Sequence, residues 1–211
     1  MTSTASGNLV KAIEKAWAAI QAAHNDVPHV VVTIGAGSGT GAGLTLGHFA
    51  PFRWVQGEAE VHELFVGGEG LKRGGRDIMG TLLHEAAHGA AQARGIKDTS
   101  RQGRYHNKRF KSIGEEFGLV IEDAGSIGWS ATTVPDKTAS KYARAIAAID
   151  ASLSVYRKSE GRAMDGGRTN NNNGITAVCG CGRKIRLSPS TYEMGEIICG
   201  ICGVEFTTED D

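Results

Sequence analysis

The 211 residues carry 23 basic and 23 acidic side chains, so the formal net charge is zero, and 40% of the residues are hydrophobic. A chain of this make-up has apolar surface enough for one ordinary domain and a small appendage, and its balance excludes both wholesale disorder and a strongly basic nucleic-acid protein. No apolar run reaches the ~18 residues of a membrane span, and residues 1–8 lack the basic and apolar segments of a secretory signal, so a cytoplasmic protein is expected.

Leu9, Val10, Ile13, Trp17 and Ile20 recur at helical spacing and predict a helix over 8–23, with Ser6 or Asn8 as its cap. The β-branched run 29–34 predicts a strand. The glycine-rich stretch 35–43 follows it but lacks the Gly-Lys-Ser/Thr ending of a phosphate-binding loop, and no helix pattern follows, so it is read as a flexible connection. Residues 44–55 read as extended, disturbed by Pro51, and 61–66 as a short strand ended by Gly67-Gly68. A helix is expected over 77–93, closed by Gly95, with Ile78, Leu82, Leu83, Ala86, Ala87 and Ala90 as its apolar stripe. Another is expected over 107–117, ended by Gly118, then a strand or turn at 119–121. An alanine-rich helix over 138–156 has Thr138 as its cap. Residues 162–174, with their asparagine run, are a linker by composition, and 175–208 form a separate small unit.

The predicted 77–93 helix contains His84-Glu85-Ala86-Ala87-His88. Residues i and i+4 share a helix face about 6 Å apart, so the two imidazoles can grip one Zn²⁺. Glu85 then reaches a zinc-activated water, takes its proton as that water attacks a carbonyl, and passes the proton to the leaving amine. A catalytic zinc usually keeps three protein ligands. The best third candidate is His106, at the start of the next helix beyond a polar loop. His62, on the preceding strand and read as lining the cleft, is a rival, as are the carboxylates Glu115, Glu116 and Asp123. His24, His29 and His48 have no supporting spacing.

All four cysteines fall near the C-terminus, as Cys179-Gly180-Cys181 and Cys199-Gly200-Ile201-Cys202. Two pairs separated by a short hairpin read as a zinc ribbon: a closed, structural four-thiolate site that supplies the folding energy of a segment too small to fold alone. The first pair has only one intervening residue, and Gly180, Gly182 and Gly200 are expected to relax that knuckle. Residues 184–187 and 196–198 are its predicted strands. Between Arg94 and Lys111 lie seven basic residues, Arg94, Lys97, Arg101, Arg104, Lys108, Arg109 and Lys111, against the single acid Asp98. With Arg183, Lys184 and Arg186 of the ribbon, and Tyr105 available to stack on a base, this is a candidate DNA contact or an ordinary solvated face.

The strand, the His84-Glu85 to His88 helix, His106 followed by Phe110, and the four-cysteine tail resemble the SprT-like metallopeptidases, which include bacterial SprT and eukaryotic Spartan proteins. The likeness runs from about residue 61 to 118 and again from 179 to 202. It implies that His84, His88 and His106 bind zinc with Glu85 as general base, and that the substrate includes proteins trapped on DNA. Where that family usually has glycine after its third histidine, this chain has Asn107. The expected architecture is α+β: a zincin-like metallopeptidase domain over 1–158, a flexible linker over 159–174 and a zinc ribbon over 175–211, with one catalytic and one structural Zn²⁺. Two other functions share these features: a DNA-binding zinc-ribbon adaptor with a non-catalytic zinc centre, and a zinc hydrolase of a non-peptide amide.

Overall fold

Helix α1, Ala5–Ala23, opens on Thr4, whose hydroxyl oxygen accepts the Gly7 N–H at 3.1 Å, so Ser6 and Asn8 lie inside the helix rather than capping it. It belongs to a computed structural model that describes residues 4–37, 39–40, 43–158 and 174–208. These divide into two units, Met1–Ser159 and Glu160–Asp211. The architecture is mixed α+β with small sheets.

In the first unit, α1 buries Leu9, Ile13, Trp17 and Ile20 and leads into β1, Val30–Gly35. The glycine-rich stretch contributes a two-residue pair, β2 (Gly39–Thr40) with β3 (Gly43–Leu44), and Gly37 N–H donates to the buried Glu69 carboxylate at 2.9 Å. The expected extended segment is β4, Gly47–Gln56, whose register slips between Ala50 and Trp54 around Pro51; Phe52 there has a φ of 55°. A turn at Gly57, with a φ of 65°, returns the chain as β5, Ala59–Gly67. The sheet order is β1-β5-β4, with β1 parallel and β4 antiparallel to the central strand. Among the described residues β4 pairs only with β5, so its other edge has no strand partner.

A short 3-10 turn, Gly68–Arg73, feeds α2, Gly75–Ala93. This helix starts two residues before the expected Asp77 because Asp150 accepts the Gly75 N–H at 2.6 Å, a long-range contact that hydropathy spacing does not encode. Ile78, Met79, Leu82 and Leu83 are fully buried, each worth about 1.5–3 kcal/mol on transfer from water. Ala86 and Ala87 are equally buried and let neighbouring elements approach closely. A hairpin of β6 (Thr99–Ser100) and β7 (Tyr105–His106) connects α2 to α3, Lys108–Glu116, which ends at Gly118 with a φ of 84°. Residues 119–121 resolve as a strand: β8, Val120–Glu122, pairs with β9, Ala131–Thr133, which has no counterpart in the sequence expectation.

The single helix expected over 138–156 is instead two, α4 (Asp136–Lys141) and α5 (Ala143–Ser152), broken at Tyr142. Thr138 is not a cap. It is buried inside α4 and donates its hydroxyl to Gly118 O at 2.6 Å, fastening α4 to the end of α3. Alanine-rich propensity favours continuity, and these tertiary contacts override it. The segment after α5 is held too: Arg157 N–H donates to Gly68 O at 3.0 Å and its guanidinium pairs with Glu69 at 2.8 Å.

The second unit pairs β10, Ile175–Val178, with β11, Lys184–Leu187, followed by α6, Pro189–Glu193, capped by Ser188. The returning strand expected at 196–198 reduces to one isolated bridge, Ile198 with Glu205, and a second bridge joins Val178 of β10 to Thr207. The linker expected over 159–174 falls, apart from Gly174, outside the described residues. No helix among the described residues is long and apolar enough to cross a membrane.

Candidate metal centres and active-site cleft

Helical spacing places His84 and His88 on one face of α2, and the β6–β7 hairpin brings His106 across from them. Its Nε2 lies 3.2 Å from His84 Nε2 and 3.1 Å from His88 Nε2. Tetrahedral zinc with bonds of about 2.0–2.1 Å needs donors about 3.3 Å apart, which these spacings approach. The outer nitrogens fix the tautomers. His88 Nδ1 faces the Asp98 carboxylate at 2.5 Å and His106 Nδ1 faces Ile127 O at 3.3 Å; both partners are acceptors, so both Nδ1 atoms carry hydrogens. In the neutral rings the two facing Nε2 atoms are then bare lone pairs, which repel unless a cation lies between them. Burial, reinforced by the neighbouring histidines, holds His84 well below the usual imidazole range, and burial likewise lowers His106. Neutral imidazoles are the form that binds a metal. The three residues form a group that could hold a metal ion.

Phe110 forms the floor. It is fully buried, with its ring centroid 4.6 Å from that of His84, 4.5 Å from His88 and 4.7 Å from His106. Asn107, where the resembled family has glycine, is occupied three ways. Its side-chain oxygen caps α3 by accepting Arg109 N–H at 2.8 Å, its amide donates to Lys97 O at 3.0 Å, and its backbone N–H donates to Asp98 O at 3.0 Å. One residue therefore starts the helix bearing Phe110 and closes the hairpin that joins Asp98 to His106. On the far side Gly128, with a φ of 72°, packs its backbone on His106 O and the Tyr105 ring, leaving no room for a Cβ.

Glu85 is 5% exposed, and its Oε2 accepts the Phe49 N–H of β4 at 2.8 Å. Burial raises its pKa, partly opposed by His88 and that hydrogen bond. A Cβ on Gly47 would sit 3.2 Å from Glu85 Oε1 and 2.6 Å from Thr81 Cγ2, so glycine keeps this side of the carboxylate open. The group lies between two halves of a cleft. One, of about 690 Å³, is walled by Leu46, Arg73, Asp77, Thr81 and residues 132–134. The other, of about 490 Å³, is walled by Phe49, Pro51, Gln92, Ile96 and Asp98. Thr45, Gly47, His84, Glu85 and His106 line both.

The rival ligands are engaged elsewhere. His62 Nδ1 accepts the Phe52 N–H at 3.3 Å among the exposed aromatics of the β4–β5 hairpin and is not among the residues lining either half of the cleft, which corrects the expectation that it does. Glu115 pairs with Lys111, Glu116 with Arg94, and Asp123 accepts Gly125 N–H. His24 stacks on Phe117 and His48 pairs with Glu63 at 3.2 Å. By charge alone Asp98 is a lone acid in a basic stretch; the sequence signal for its role is its place ten residues beyond His88, within the loop that returns to His106. Removing it in Asp98→Ala is expected to weaken metal affinity about 10–100-fold without unfolding the unit, as measured by competition with a chromophoric chelator; unchanged affinity would deny Asp98 its orienting role.

The basic stretch is partly spent. Arg94 bridges Asp26 and Glu116, Lys111 pairs with Glu115 and lies over Trp129, and Arg101 lies over the Tyr105 ring expected to stack on a base. Lys97, Lys108 and Arg109 form no ion pair among the described residues.

In the second unit the four cysteines are free thiols and form a second group that could hold a metal ion. Cys179 and Cys181 Sγ lie 3.3 Å apart and Cys181 and Cys199 Sγ 3.8 Å apart, beside the about 3.8 Å separation that tetrahedral Zn–S bonds impose. Backbone N–H groups of Cys202 and Ile201 hold the Cys199 thiol down to about 6, whereas its neighbour Cys179 chiefly pushes Cys181 up to about 12. The left-handed turns fall at Gly182, with a φ of 77°, and Gly203, with a φ of 69°. Gly180 and Gly200, expected to help, do not have positive φ. A Cβ at Gly180 would instead press on Val204, 3.3 Å away. No protein-family model, curated protein or solved structure matches this chain.

Proposed function

We propose that this chain is a zinc-dependent metallopeptidase of the SprT-like type, with a zincin-like catalytic domain, that hydrolyses peptide bonds in protein substrates. His84, His88 and His106 hold the metal and Glu85 is the general base. The observation that carries the reading is three imidazole Nε2 atoms converging beside a buried carboxylate in a cleft that continues on both sides. Zinc supplies a Lewis acid there, polarising a carbonyl and lowering the pKa of water towards about 7.

The chain's own residues supply the rest. Asp98 keeps the hydrogen on His88 Nδ1 and so turns the Nε2 lone pair inward. The Phe49 N–H holds one Glu85 oxygen and fixes the carboxylate's orientation. The other oxygen, beside Gly47, accepts a proton from the attacking water and returns it to the leaving amine. Beyond the Phe49 N–H, which Glu85 engages, the edge of β4 without a strand partner offers backbone donors and acceptors to an extended peptide, the shape a cleft crossing the centre accommodates. In the second unit a closed four-thiolate zinc has a structural role only. Action on DNA-associated proteins rests on the family resemblance together with Lys97, Lys108 and Arg109.

The test is direct. Zinc-loaded protein incubated with an unfolded substrate such as reduced casein is expected to release new peptides, to stop when zinc is chelated and to resume when it is restored. Intact substrate under every metal condition, with and without single-stranded DNA, would refute the proposal.

A further inference from the structure

Arg73 is a charge that hydrolysis itself does not use. The last residue of the 3-10 turn, it folds back so that Nε donates to Gly70 O at 3.2 Å and Nη2 donates to Thr81 Oγ1 at 2.9 Å. A Cβ on Gly70 would lie 3.3 Å from Nη2, so the glycine leaves the guanidinium its seat. Thr81 is anchored in turn, donating to Asp77 O at 3.3 Å. The guanidinium is thus fixed on the wall of the larger half of the cleft, the same space that His84 and Glu85 line.

A guanidinium has five N–H donors, and the fold engages two of them. No carboxylate among the described residues lies within ion-pair distance of Arg73. Asp77 lines the same half of the cleft without pairing with it. An arginine held by neutral acceptors, with donors left over and accessible in a cleft, is a preorganised fork for a planar anion. Thr81 precedes Glu85 by four residues, about 6 Å along the helix axis, so the fork docks about one helical turn from the catalytic carboxylate.

We propose that Arg73 is a specificity residue that binds a substrate carboxylate, so that the enzyme prefers peptides with an acidic group at a fixed position near the cleaved bond. The proposal rests on the peptidase reading. Its ligand is a carboxylate, supplied by an Asp or Glu side chain or by a chain terminus. Asp77, close by and of the same charge as the ligand, weakens the attraction and favours an anion placed towards Arg73.

The experiment exposes zinc-loaded wild type, Arg73→Gln, Arg73→Lys and Asp77→Asn to one defined peptide library, with free and amidated C-termini, and sequences the cut sites by mass spectrometry. In wild type, Asp and Glu are expected to be enriched at one position. Arg73→Gln should abolish the enrichment and raise KM for an acidic peptide about tenfold or more, roughly the worth of one charge-assisted hydrogen bond, with kcat and the cleavage of neutral peptides little changed. Arg73→Lys should retain part of the preference and Asp77→Asn should strengthen it. Enrichment that vanishes on amidation assigns the carboxylate to the chain terminus; enrichment that survives assigns it to a side chain. No acidic preference in wild type, or one that persists in Arg73→Gln, overturns the proposal.

If wild type cleaves nothing, the peptidase reading fails by itself. The carboxylate site is then decided by titrating the Thr81 amide resonance with acetyl-glutamate amide against acetyl-glutamine amide. A saturable shift with the acid alone, lost in Arg73→Gln, upholds the site; equal responses overturn it.

Discussion

Glu85→Gln is expected to keep its metal content and melting temperature close to those of the wild type while peptide hydrolysis falls by at least about 10²–10⁴-fold, the contribution typical of a positioned general base. Glutamine preserves the shape of the side chain and still offers an oxygen to the Phe49 N–H, so the β4 contact survives. It cannot take a proton from water at neutral pH. The loss should fall on kcat with KM little changed, because the proton moves only as the transition state forms. Glutamine is also relieved of the burial that opposes ionisation of Glu85, so loss of stability is not the expected cause of inactivity. A variant that cleaves casein at the wild-type rate would remove Glu85 from the chemistry. One that loses both activity and metal would make it a structural prop of the histidine group.

The second large effect concerns the other unit. Cys199→Ser is expected to unfold residues 174–208 while leaving the first unit folded. The buried core there is only Ala177, Cys179, Cys199 and Phe206, with Ile185, Leu187 and Tyr192 among the residues packed against it. Its strands are four residues each, and the remaining pairing is isolated bridges. So little apolar surface does not by itself offset the conformational entropy lost on ordering residues 174–208. Binding of a structural zinc to the four thiolates is then part of the unit's folding free energy. In a ¹⁵N-labelled sample, amide resonances of the second unit should collapse to unfolded positions in Cys199→Ser and on chelation. Dispersed resonances after chelation would show that the thiols fold the unit without metal.

Much of the first unit could be read from sequence because its signals are local. The apolar repeat of α1, the β-branched run of β1 and the stripe of α2 each specify an element through hydrophobic spacing. So does the i, i+4 separation of His84 and His88, which needs only a helix. Where contacts are long-range, local spacing does not encode the outcome. Asp150 extends α2 to Gly75, and Thr138 is turned from a cap into a fastener for Gly118. Strand β9 follows residues with no strand periodicity and is defined by its partner β8.

The site divides along the same line. His106 can be nominated from the loop that returns to α2; Asp98 lies in the same loop, but its role depends on a hairpin that places it against His88 Nδ1. Gly47 reads as an ordinary loop glycine until the Glu85 carboxylate is seen beside it. In the basic stretch, charge counting ignored partners: Arg94 and Lys111 are answered by carboxylates from α3 and, for Arg94, also by Asp26.

The convergence of His84, His88 and His106 on one metal ion is tested most directly by metal content per chain, measured by elemental analysis after zinc saturation and removal of excess. Two groups able to hold a metal predict two zinc ions in the wild type and one in a folded His106→Ala variant, with the cysteine group still filled. Two zinc ions retained by His106→Ala at wild-type affinity, or a wild type whose only zinc is lost in Cys199→Ser, would contradict the account.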